Sequence, residues 1–279
     1  MSGITCPDCL TGSVKREIPT GTVTAIHGLP AYIARPEGPP KGLIVIIPDA
    51  FGWELPNNRL LADIYAKEGG FLVYLPDFMN GHIPSAAAMH AMESLLTPSP
   101  SIFTTIFYKP VWLVKVFVAI VPFLLTNKES AIKPKIFKFH EALRNDPETS
   151  KLKLGSAGFC WGGKYTILLS QTEDLVDAGF TAHPSKMKFP NDWDKVQKPL
   201  AIAIGDVDLG INLKMVKDIK KLLEDMKPKE QNQVVIYPRA RHGFAVRANP
   251  EEEDQVKSAV EAKDQALAWF WRWLARGEE

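Results

Sequence analysis

Cysteine is scarce in this chain: three residues in 279, at Cys6, Cys9 and Cys160. That is too few, and too scattered, for a disulfide framework. Net charge is nearly absent too, +1 from 33 basic and 32 acidic side chains, which argues against a nucleic-acid partner, since such a partner selects for a basic face. There is no internal repeat and no low-complexity tract. No uncharged apolar run reaches the roughly 20 residues of a membrane span. The N-terminus lacks a basic stretch ahead of an apolar core, so no secretory leader is expected and a reducing, cytoplasmic setting follows. Cys6 and Cys9 form a Cys-Pro-Asp-Cys pair that resembles half a zinc site, but no second Cys or His pair stands at ligand spacing. They read as reduced thiols in a weakly ordered polar segment, residues 1–20. No metal and no cofactor is expected.

What is present is the alternation of a globular α/β chain, with 46% hydrophobic and 23% charged residues. Leu43 to Pro48 is an unbroken apolar run, as in a strand buried on both faces. Apolar residues at helical spacing follow in Asn57 to Lys67, then a strand from Phe71 to Leu75. The pattern repeats with a helix at Glu129 to Leu143, strands near Leu152 to Ala157, Ala178 to Ala182, Leu200 to Ile204 and Val234 to Tyr237, and helices at Leu213 to Met226 and Asp254 to Leu274. Strands that alternate with helices predict a mostly parallel sheet covered on both faces, in one domain spanning 21–279.

Residues 82–127 break the alternation. Val111 to Leu125 is apolar except for Lys115 and Pro122, and it is flanked by Lys109 and Lys128. Its length and charges disfavour a membrane span and a membrane partner is not favoured, with lying on a membrane surface as a further possibility. The expected role is an apolar helical cap packed over the mouth of a site, because long insertions in such folds are often lids.

The chemistry concentrates at Gly158-Phe159-Cys160-Trp161-Gly162-Gly163. A nucleophile between glycines, at a turn from strand to helix, has the form of the nucleophile elbow of α/β-hydrolases, with sulfur in place of the usual hydroxyl. A thiol needs a base, and the base needs an orienting group. The elbow is followed in chain order by Asp206 and Asp208 after one strand and by His242 after the next, the nucleophile–acid–histidine order of that fold. Asp208 is favoured over Asp206 because it lies further into its loop. His183 also follows a strand, ahead of Pro184, and reads as a pocket wall or turn residue. His27, His82, His90 and His140 have no such register.

Taken together, the Gly-x-Cys-x-Gly-Gly elbow, the Gly-x-x-Asp loop and the His-Gly-Phe loop resemble the dienelactone hydrolase family. Pro48-Asp49-Ala50-Phe51-Gly52, an Asn-bearing helix and Tyr74-Leu75-Pro76-Asp77 resemble the first half of that family. The resemblance covers about residues 28–275, and the aromatic cap and N-terminal Cys pair are more similar to its fungal branch. It implies an α/β-hydrolase fold in which Cys160 is the nucleophile, Asp208 the acid and His242 the base, with the backbone amides of Ala50 and Trp161 as oxyanion hole. Asp49 matches a family carboxylate, usually Glu, that holds the thiol until substrate displaces it, and is one methylene shorter. Phe51, His183, Phe244 and Arg247 are expected around the pocket. Bacterial members carry an Arg after the His loop that binds a substrate carboxylate. Here Val246 stands at the nearest match and Arg247 follows, which points away from a dicarboxylate-type lactone. The expected partner is a small lactone or ester, with a homodimer as a further possibility. The alternatives are a thiol esterase or thioesterase acting on linear acyl esters and a non-catalytic binder of apolar metabolites or of a membrane.

Overall fold

The computed structural model describes residues 12–96, 101–208, 210–226, 228 and 230–275. Cys6 and Cys9 lie outside the described residues. Eight strands form one sheet in the order β1-β2-β4-β3-β5-β6-β7-β8. They are β1 (Thr22–Ile26), β2 (Leu29–Ala34), β3 (Leu43–Ile47), β4 (Leu72–Pro76), β5 (Leu154–Phe159), β6 (Ala178–Ala182), β7 (Leu200–Gly205) and β8 (Asn232–Tyr237). β1 and β2 are antiparallel to their neighbours, and every other pairing is parallel. The central strands read as they fold. All five residues of β3, Leu-Ile-Val-Ile-Ile, are buried, because helices cover both faces and neither side of the pleat meets water.

One face carries α1 (Pro56–Gly69) and α8 (Glu253–Phe270), which pack Leu61, Tyr65, Ala266 and Phe270 against Ile44 and Ile46. The other face carries α4 (Glu129–Asn145), α5 (Trp161–Leu169) and α6 (Leu213–Asp225). Ile136, Phe139, Tyr165 and Leu169 meet Leu43, Val45 and Ile47 there, while Val216, Ile219 and Leu223 meet Leu200, Ile202 and Ile204. Alternate residues of one strand thus serve opposite cores, as the two-residue period of a strand requires. A short helix, α7 (Phe244–Arg247), precedes α8. The terminal helix expected through Leu274 leaves α geometry at Phe270 and ends in a π-helical turn over Trp271–Ala275.

From β3 the chain steps to one side to make β4, between β2 and β3, then returns to the far side of β3 to make β5. The direction of winding therefore reverses between β3 and β5, and a crevice opens beyond the carboxyl ends of those two strands. The loops that follow β3, β5, β6, β7 and β8 all emerge at that end.

Two points depart from expectation. The segment from residue 12 to residue 20 is fastened rather than loose. Ser13 donates its amide to the Arg247 carbonyl at 3.1 Å, Lys15 donates to Asn57 Oδ1 at 2.9 Å, and Thr20 donates to Asp63 Oδ2 at 2.8 Å. The insertion does form two helices, α2 (Ala86–Leu96) and α3 (Lys109–Thr126), the latter entered through a π-helical turn at Thr104–Tyr108. Yet only Val116 and Phe123 of α3 are buried, so most of its apolar surface covers nothing among the described residues.

Candidate active site

Cys160 follows β5 directly and adopts φ 51° and ψ −112°. A residue with a Cβ is strained there by about 1–3 kcal/mol, and persists only where its surroundings over-determine it. They do. Its amide donates to the Ala182 carbonyl at 3.2 Å, and its carbonyl accepts from Gly163 at 3.1 Å and Ser185 at 3.0 Å. The flanking glycines are required by close approach. A Cβ on Gly158 would stand 2.5 Å from both the Gly162 carbonyl oxygen and Thr166 Oγ1, and a Cβ on Gly162 would overlap the Ile47 carbonyl. These two positions let the start of α5 press onto β3 and β5, which thrusts the sulfur into the crevice.

His242 comes from the loop after β8. Its Nδ1 lies 2.8 Å from Asp208 Oδ2, and both side chains are wholly shut from solvent. The other Asp208 oxygen accepts the Gly210 amide at 2.7 Å. The same imidazole is hydrogen-bonded to Cys160. Burial works against a charged ring. The Cys160 and Asp208 charges and the hydrogen bonds to both outweigh it, so the His242 pKa stands well above the ordinary imidazole value. Asp206, the rival acid, is half-buried and accepts the Arg239 amide at 2.6 Å instead.

Other residues fill in around this convergence. Ser185 Oγ stands 3.9 Å from the Cys160 sulfur. Sequence reasoning passed it over, although it sits in the loop after β6 beside His183-Pro184 and so issues from the same end of the sheet. His183 is fully buried, with its ring 4.9 Å from that of His242 and 5.7 Å from that of Phe244. Burial, then the neighbouring His242 and Arg247 charges, hold its pKa well below the usual value, so it is a neutral wall behind the His242 ring. Trp161 opens α5, where its amide has no intrahelical acceptor, and its ring packs on Tyr165 at 4.7 Å and Phe123 of the cap at 6.3 Å.

Asp49 and Arg247 form a second buried pair. Asp49 Oδ2 accepts from Arg247 Nε at 2.7 Å, and both side chains are fully enclosed. Asp49 Oδ1 accepts from Asn58 Nδ2 at 3.1 Å and from the Phe51 amide at 3.2 Å. Burial raises the Asp49 pKa; Arg247 pulls it back, and the nearby Cys160 charge pushes it up again. The Arg247 guanidinium also lies over the Phe51 ring, 5.0 Å from its centroid. Phe51 in turn packs with Leu55, Met89, Met92 and Val116 beneath the cap. Arg247, expected in the pocket, is thus the counter-ion of Asp49. Among the described residues, no three His, Cys, Asp or Glu side chains group as metal ligands.

Comparison with known proteins agrees with the fold and places the chain. It is 28% identical over 277 residues to dienlactone hydrolase 1 of Gibberella moniliformis, covering 96% of this chain and 94% of that one. It is 24% identical over 276 residues to a carboxymethylenebutenolidase homolog of Xenopus tropicalis, covering 98% of this chain and all of that protein. The crystal structure of a dienelactone hydrolase from Anabaena variabilis superposes with a TM-score of 0.61 at 18% identity, over 91% of this chain and 97% of that one. The model of the dienelactone hydrolase family matches residues 29–274, so the chain belongs to that family and is a carboxylic ester hydrolase of the α/β-hydrolase fold.

Proposed function

We propose that the chain hydrolyses a lactone or ester through Cys160, His242 and Asp208, by way of a thioester. The observation that carries this reading is the buried His242 ring, bonded to a carboxylate on one side and to the elbow sulfur on the other. An imidazole so placed holds the proton of the thiol and leaves the sulfur as thiolate, the nucleophilic form. The thiolate attacks the carbonyl carbon, and the carbonyl π electrons move to oxygen. The amides of Ala50 and Trp161 are the proposed donors to that oxyanion, typically worth about 3 kcal/mol each. Collapse breaks the bond to the ester oxygen, which takes the proton from His242 and leaves a thioester on Cys160. Neutral His242 then removes a proton from water as the water attacks, and the second collapse frees the acid and restores the thiolate. Asp208 fixes the ring tautomer and supports its charged form. A thiol mechanism suits a reducing compartment, and a cytoplasmic setting is part of this reading.

Two observations favour a neutral, apolar substrate. Arg247 is paired through Nε with Asp49 and its side chain is enclosed, which disfavours its use as a cation for a substrate carboxylate. Phe51, beside the elbow crevice, belongs to the apolar cluster beneath the cap. Linear acyl esters would suit this pocket as well as lactones, and the same residues would cleave them.

Cys160→Ala is expected to reduce ester and lactone turnover to background with an unchanged circular dichroism spectrum, while intact-protein mass spectrometry of the parent during turnover shows one acyl adduct. A variant that keeps the parent rate would sink the mechanism. Rates on cyclic enol lactones and linear p-nitrophenyl esters separate the two substrate classes. Iodoacetamide labelling across pH tests for a non-catalytic binder, in which the thiol would be inert near neutrality.

A further inference from the structure

Apolar residues in α3 that face solvent are too many to be incidental. Leu113, Val114, Phe117, Val118 and Leu125 are each at least 60% exposed, and Val111 is 50% exposed. At about 100° per residue, these six spread over about 160° of the helix circumference. The preceding turn adds exposed Ile106, Phe107 and Tyr108. Val116 and Phe123 point the other way. Val116 joins the cluster around Phe51, and the Phe123 ring packs on Trp161.

Charge singles out the occupant. Residues 94–128 contain Lys109, Lys115 and Lys128 and no Asp or Glu. A second copy meeting this face about a two-fold axis would set the same cationic segment against itself. A bilayer of anionic lipids would match it through Lys115 and Lys128, which are exposed, whereas Lys109 is half-buried and donates to the Leu95 carbonyl at 3.1 Å. The helix is long and apolar enough to cross a membrane, but it is held against the domain by Val116 and Phe123 and by Asn127, whose Nδ2 donates to the His82 carbonyl at 2.8 Å. It can therefore lie in an interface without leaving the fold.

We propose that the exposed face of α3 docks on the surface of an anionic phospholipid bilayer, with the helix in the plane of the interface and its buried side still over Phe51 and Trp161. The sequence favours a cap for this segment and leaves a surface-lying helix as the further possibility; docking takes up the second without giving up the first. The docking stands whether or not the hydrolytic mechanism does.

The test is flotation of the full-length protein with vesicles of phosphatidylcholine containing phosphatidylserine, against pure phosphatidylcholine. The parent should float with the mixed vesicles and weakly or not at all with the neutral ones. Leu113→Glu with Phe117→Glu should lower partitioning about tenfold or more, and Lys115→Gln about fivefold. Circular dichroism and turnover of a short soluble ester should not change, because none of these side chains touches the site. Failure of the parent to float, or flotation indifferent to the two glutamates, overturns the proposal. So does a parent dimer, seen by light scattering, that the glutamates dissociate while no vesicle binds. Retention on membranes through an alkaline carbonate wash would mean a spanning helix and overturns it too.

Discussion

Asp208–His242 and Asp49–Arg247 are both carboxylate–cation pairs at the carboxyl end of the sheet, both closed to solvent, with contacts of 2.8 Å and 2.7 Å. They differ in what the cation can do. An imidazolium can give up its proton near neutrality, whereas a guanidinium cannot. The first pair is bonded to the Cys160 sulfur and can change charge during a reaction. The second is a fixed dipole that ties the loop after β3 to α7 and, through Phe51, to the floor of the cap. The same enclosed environment thus supports two functions: in one pair it tunes a titration, in the other it locks loops together.

The largest effect should come from Asp208→Asn. The amide cannot support a charged ring and can hold the wrong tautomer, so kcat should fall about ten-thousand-fold while the melting temperature moves little. Steady-state kinetics beside a thermal melt checks this. Turnover within tenfold of the parent would mean that the two pairs do not differ in kind.

Arg247→Met should have the opposite signature. It strands the Asp49 carboxylate in an enclosed site and should cost about 3–5 kcal/mol of stability. Adding Asp49→Leu removes the stranded charge and should recover most of that loss, which urea titration of the double-mutant cycle reads directly. The sign with pH follows as well. Burial already raises the Asp49 pKa, and Arg247 opposes the rise. Without Arg247 the folded state binds a proton that the unfolded chain does not, so the deficit of the single variant shrinks as pH falls. A deficit that is flat with pH would mean that Asp49 has found another counter-charge.

The first pair was legible in the sequence and the second was not. Cys160, Asp208 and His242 each end a recognisable strand, and a strand end in an open α/β sheet has a known address. Even the choice between Asp206 and Asp208 came down to which residue lies deeper in one loop. Asp49 and Arg247 are 198 residues apart. Nothing in the pattern around Arg247 marks it as buried, because charged residues are rarely enclosed and the default reading sends them to solvent or substrate. Ser185 was hidden for a different reason: it reaches the sulfur only because its backbone is bonded to the carbonyl of the elbow. The cap shows the limit most plainly. Hydropathy identified α3 as a helix with an apolar surface, but an apolar run reads alike whether it faces a core, a bilayer or a partner. Only the packing of Val116 and Phe123 shows how little of it faces inward.

The smallest expected effect is a shift in one titration, and it isolates the first pair. The His242 pKa is raised against burial by Cys160 first and then Asp208. The ring's own contribution to stability is therefore complete below the unfolded value of about 6.5 and is lost as pH rises through the higher folded value. In the parent, thiolate formation offsets part of that slope, so the ring is better followed by its NMR titration than by unfolding. The His242 resonances of the parent should report a charged imidazole above pH of about 6.5. In Cys160→Ala the sulfur's support is gone and the midpoint should fall. Arg247→Met should move it much less, because Cys160 and Asp208 are the groups that chiefly raise the charge of this ring. A parent ring already neutral at that pH, or a midpoint that follows Arg247 rather than Cys160, would show that the two pairs act as one network and that the proton needed for chemistry is held elsewhere.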